Sequence, residues 1–154
     1  MARPLYVLGT GGLAREVAQL IRVVADPDWA FEGFIAAGES DPDKVIESLL
    51  GPVPGARPLW YQKHMSHHLL PGMARDWMHA LTNVLLIRDP DEVVASYVKS
   101  RATVTPEDIG LPQQALLFDE LAERSGAAPP VIDAGDFLRA PEAHLRALCA
   151  LLGI

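Results

Sequence analysis

The stretch YQKHMSHHLLP, residues 61 to 71, sets Lys63 and three histidines, His64, His67 and His68, within eight residues. Such a group can move a proton. A neutral imidazole near pH 7 can take the proton of a hydroxyl that is about to attack. A neighbouring ammonium can offset negative charge that builds on a transferring group or a leaving oxygen. Two other readings compete. His64 and His68 could ligate a metal, but they share a face only on a helix, Pro71 limits one, and no third ligand is adjacent. The segment could also be a solvated polar turn with Lys63 exposed.

A second motif, LIRDPDEVVASY, places Arg88 at the end of an apolar run and Ser96 eight residues on. A guanidinium there offers a two-pronged contact to a phosphate, and a serine can add its hydroxyl. The alternative is a surface pair of Arg88 with Asp89 or Asp91 and a serine that only packs. A third motif, GTGGLA, fits G-x-G-x-x-A with Gly9, Gly11 and Ala14 at the key places and Gly12 between them. Between a strand and a helix, such a loop lets a phosphate approach the helix N-terminus. It can equally be a tight turn without a ligand. Ala36 and Ala37 follow Phe34-Ile35 where an acidic residue would hold a ribose, which argues against a nicotinamide cofactor.

The elements that must carry these motifs alternate. Pro4 to Gly9 is a short apolar strand, and Leu13, Val17, Leu20, Ile21 and Val24 recur at helical spacing. Phe31 to Ile35 reads as a strand. Asp41 and Pro42 open a helix that Gly51 closes. LWYQ is a short strand, RDWMHAL a short helix, and Asn83 to Arg88 the clearest buried strand. DPDEVVASYVKS repeats the Asp-Pro start, with Val93, Val94 and Tyr97 on one face. Thr105 caps a turn, QQALLFDELAERSG is an amphipathic helix, PPVIDA a strand, and PEAHLRALCALLG a last helix with Leu145, Leu148 and Leu152 on one face. This predicts an α/β fold with three layers, a mostly parallel sheet with helices on both faces, of P-loop or Rossmann-like kind. Ligands gather beyond the carboxyl ends of such strands, where all three motifs fall.

With 154 residues, half of them apolar and a fifth charged, the chain is expected to form one soluble globular domain. No apolar run reaches the ~20 residues of a membrane span. The head has no small-residue cleavage site. Cys149 is the sole cysteine, which fits a reducing, cytoplasmic compartment. A net charge of −7 argues against general nucleic-acid binding.

The stretch LYVLGTGGLAREVAQLIR…FEGFIA resembles, over about residues 4 to 38, the nucleotide-sugar-binding N-terminal domain of bacterial sugar O-acyltransferases, without the hexapeptide repeats that follow there. From about Asp41 to the end, WYQKHMSHHLLP and LIRDPDEVVASY resemble the sulfotransferase superfamily. The chain thus divides into a glycine-loop head, 1–40, and a sulfotransferase-like segment, 41–154, packed as one domain. The second resemblance implies transfer of a sulfuryl group from 3′-phosphoadenylyl sulfate, as co-substrate, to a hydroxyl or amine of a small-molecule acceptor. It implies that Arg88 and Ser96 bind the 3′-phosphate, that His64 is the base, that Lys63 stabilises developing charge, and that Gly9, Gly11 and Gly12 face the 5′ end. No resident metal is implied. The register departs from the family in three ways. Gln62 stands at the usual lysine place, GTGGLAR replaces the phosphosulfate loop, and the family's C-terminal part does not follow, so the sheet is expected to be incomplete and activity impaired. The alternative is a non-catalytic nucleotide-sugar-binding module.

Overall fold

A computed structural model describes residues 5–8 (main chain only), 41–53, 59–69, 72–99 and 101–154. The glycine loop, the helix expected after it and the strand expected at 31–35 lie outside the described residues.

Both Asp-Pro starts form as the sequence predicts. Helix α1 (Pro42–Leu50) is capped by Asp41, whose carboxylate accepts from the Asp43 amide at 3.0 Å, and it ends at Gly51. Helix α2 (Pro90–Tyr97) repeats the device with Asp89 and the Asp91 amide at 2.8 Å. Helix α3 (Leu111–Ser125) runs between Gly110 and Gly126, both with positive φ. Thr105 and Asp108 cap each other across the turn before it. A helix the sequence reading omitted, α4 (Ala134–Arg139), starts directly at the end of a strand, because Asp133 closes the strand and accepts from the Asp136 amide at 2.9 Å. Helix α5 (Pro141–Leu152) follows.

The strands are β1 (Leu5–Leu8), β2 (Tyr61–His64), β3 (Thr82–Ile87) and β4 (Val131–Asp133). Among the described residues they form one sheet in the order β2-β1-β3-β4, with every pair parallel. Leu8 lies opposite both His64 and Leu85, so all carboxyl ends share one edge. The expected strand at LWYQ instead starts at Tyr61 and takes in His64, since pairing with β1 extends to that residue. The expected helix at RDWMHAL is a 3-10 turn, Asp76–Ala80.

Alternation along β3 divides the core. Val84 and Leu86 pack with Tyr61, Ala134, Phe137, Leu145 and Leu148. Leu85 packs with Leu69, Met78, Leu117 and Leu121. Phe137, in the omitted helix, is fully buried, and burial of such a side chain contributes roughly 1.5–3 kcal/mol. Gln114 is buried on α3 and donates to the Leu86 carbonyl at 2.8 Å, which ties that helix to the end of β3.

Candidate active site at the carboxyl edge of the sheet

His64 is the last residue of β2, and the period of two puts it on the same face as Gln62. Gln62 is buried. Its Nε2 donates to the Leu49 carbonyl at the end of α1 at 3.1 Å, and its Oε1 lies 3.3 Å from His64 Nε2. Burial pushes the His64 pKa down to about 4, helped by the nearby charges of His68 and Lys63. The ring is therefore neutral at pH 7. Lys63 alternates to the other side of the strand, where its Nζ lies 3.1 Å from Met65 Sδ.

The chain then makes a 3-10 turn, Ser66–His68. Ser66 is completely buried and its Oγ donates to the Gly110 carbonyl at 3.0 Å. Gly110 has φ +74°, and a Cβ there would collide with Ser66 Oγ and meet the His67 nitrogen at 3.0 Å. Only glycine lets the start of α3 come this close. The rings of His67 and His68 stand edge to face, 4.5 Å between centroids. The pKa of His67 is lowered, first by burial and then by His68, Arg101 and Lys63, with Asp108 opposing. That of His68 is lowered by burial and Lys63. Among the described residues no group of three or more His, Cys, Asp or Glu is arranged to hold a metal ion.

Across β1, Arg88 follows the last residue of β3. Its Nε donates to Glu92 Oε2 at 2.8 Å, one turn into α2. The partner is thus neither Asp89, which is occupied as the helix cap, nor Asp91. The contact uses Nε, and among the described residues the two terminal amino groups have no hydrogen-bond partner. Ser96 is exposed four residues beyond Glu92, on the same face of α2, with no hydrogen bond to Arg88. Strands lie about 4.8 Å apart and rise about 3.3 Å per residue. His64 and Leu85 are two strands apart and Arg88 is three residues further, so the two Cα atoms are separated by roughly 14 Å. Leu8 ends β1 between them. Gly9, Gly11 and Gly12 come next in the chain and lie outside the described residues.

A family model described as a sulfotransferase domain matches residues 20–154. The chain belongs to the sulfotransferase domain family. The match reaches back past the junction near residues 38 to 41 that the two sequence resemblances suggest. Branched-chain-amino-acid aminotransferase-like protein 2 of Arabidopsis thaliana is 32% identical over 111 residues, covering 72% of this chain and 19% of that protein. Branched-chain-amino-acid aminotransferase-like protein 1 of the same plant is 31% identical over 111 residues, covering 72% of this chain and 20% of that protein. The sulfotransferase-family chain thus spans about a fifth of the length of these curated relatives. No solved structure gives a significant match. Among the described residues no helix is long and apolar enough to cross a membrane.

Gln62, Ser66 and Gly110 were missed by reading the sequence for reactive side chains. Gln62 had a signal, its spacing of two from His64 on a strand. The Ser66–Gly110 contact had none, because it joins residues 44 apart.

Proposed function

We propose that this chain is a sulfotransferase unit that passes a sulfuryl group from 3′-phosphoadenylyl sulfate to a hydroxyl or amine of a small-molecule acceptor. The observation that carries the reading is the common carboxyl edge, with His64 and Arg88 flanking the end of β1, in a chain of the sulfotransferase family. Arg88 suits the 3′-phosphate because its terminal amino groups are left over by the Glu92 contact. Ser96 adds a hydroxyl from the same helix face. The G-x-G-x-x-A sequence of Gly9, Gly11 and Gly12 suits a contact with the 5′ end of the donor. The donor supplies an activated sulfuryl group on a phosphate leaving group. His64 takes the acceptor's proton, and Lys63 offsets charge on the leaving oxygen.

The low pKa of His64 keeps it deprotonated, as a base must be, but also makes it weak in the free protein. An anionic ligand beside it raises that pKa and strengthens the base when it is needed. We further propose that the sheet is the middle of three layers, since the two core clusters separate α3 from α4 and α5, and that residues 1–40 and 41–154 fold as one domain. Calorimetric titration tests the function. Adenosine 3′,5′-bisphosphate is expected to bind and a uridine diphosphate sugar is not. The reverse pattern would replace this reading with a nucleotide-sugar-binding module.

A further inference from the structure

We infer that Gln62 is a positioning residue that fixes the tautomer of His64, keeping the proton on Nε2 and making Nδ1 the basic nitrogen. The inference rests on the reading of His64 as the base.

Two contacts of one buried amide carry it. The Leu49 carbonyl can only accept, so the Gln62 atom 3.1 Å from it must be the amide nitrogen. That turns the amide oxygen toward His64, 3.3 Å from Nε2. An amide oxygen can also only accept, so Nε2 must be the donor. A neutral imidazole has one N–H, and the lone pair is then on Nδ1. Gln62 cannot flip to offer its NH₂ to the ring without setting its oxygen against the Leu49 carbonyl, a repulsion that its burial at 4% exposure makes costly. The end of α1 therefore orients the amide, and the amide orients the ring. The lysine expected at position 62 would do the opposite, because an ammonium only donates and would favour a lone pair on Nε2. The residue that breaks the family register is thus one that selects which ring nitrogen carries the lone pair.

Ring nitrogen resonances of the full ¹⁵N-labelled chain at pH 7 test this. The expected result for His64 is a pyridine-type Nδ1 and a pyrrole-type Nε2. Gln62→Met removes the acceptor and is expected to give averaged shifts from both tautomers. Gln62→Glu keeps an acceptor on that side, and is expected to retain Nε2–H with a His64 pKa above that of the parent. A pyrrole-type Nδ1 in the parent overturns the inference, as does an unchanged single tautomer in Gln62→Met. If that variant does not fold, the parent and Gln62→Glu still decide. Binding of adenosine 3′,5′-bisphosphate, measured on the same samples, reports separately on the proposed function. Its loss would sink that function and leave the tautomer result standing.

Discussion

At the scale of single residues, Arg88 and His64 make separable demands. The Arg88–Glu92 pair is exposed and contributes little to stability. Its value lies in holding the guanidinium at the sheet edge. A charged two-pronged contact to a phosphate is worth on the order of 1.5–3 kcal/mol. Arg88→Ala should therefore weaken adenosine 3′,5′-bisphosphate about tenfold or more and spare an analogue without the 3′-phosphate. Equal loss for both ligands would make Arg88 structural. His64 has a thermodynamic signature of its own. Its pKa is near 6.5 in the unfolded chain and about 4 when folded. Below pH 6.5 the unfolded chain takes up a proton that the folded one refuses. Stability is thus full above 6.5 and falls as pH drops toward 4, by at most roughly 3 kcal/mol from this group. His67 and His68 act with the same sign. Asp108, lowered by its Thr105 hydrogen bonds, and Asp76, lowered by its bond to Arg124, lose their contribution only at lower pH, below the ordinary carboxylate value. Urea unfolding of the parent and of His64→Gln between pH 7 and 4.5 should give a shallower fall for the variant. Parallel curves would contradict the buried neutral ring.

Among the elements, the turn that carries His67 and His68 is held by α3 rather than by its own sequence. Gly110 is the joint. Alanine there meets a left-handed backbone and the Ser66 hydroxyl together, at a cost of roughly 2–4 kcal/mol. Ser66→Ala removes half of that conflict while losing the bond to the Gly110 carbonyl. In a double-mutant cycle the pair should cost less than the sum of the two single changes, and strict additivity would show that the two do not share a contact. This joint also marks the limit of what the sequence could tell. Among the described residues, several strands and helices were legible from local signals, while RDWMHAL gave a 3-10 turn. The Asp-Pro starts, the run Val84-Leu85-Leu86 and the leucine face of α5 all form as their spacing predicts. Helix α4 was hidden because Asp133 ends a strand and caps a helix at once. The position of His64 within β2 was hidden because a strand's end depends on its neighbour, here β1. Of the candidate site, the residue types were legible. What holds them, Gln62 on Leu49 and Ser66 on Gly110, depends on contacts across 13 and 44 residues, which no local pattern records.

For the whole molecule, the decisive fact is that β1 lies between β2 and β3. The residues just past β2 and β3 can serve one ligand only if this strand holds their ends at one edge. Deleting residues 1 to 38 removes it and leaves two strands without their shared neighbour, so the remainder should be insoluble. A soluble fragment 41–154 that unfolds cooperatively would show the head to be an added module. The central claim is that His64 and Arg88, roughly 14 Å apart across β1, belong to one site. The most direct measurement is the His64 ring resonance during a pH titration with and without adenosine 3′,5′-bisphosphate. The account predicts that the bound anion raises the His64 pKa from about 4, and that Arg88→Ala moves the ligand concentration this requires upward about tenfold or more. A bisphosphate that binds through Arg88 while the His64 titration stays where it was would contradict it.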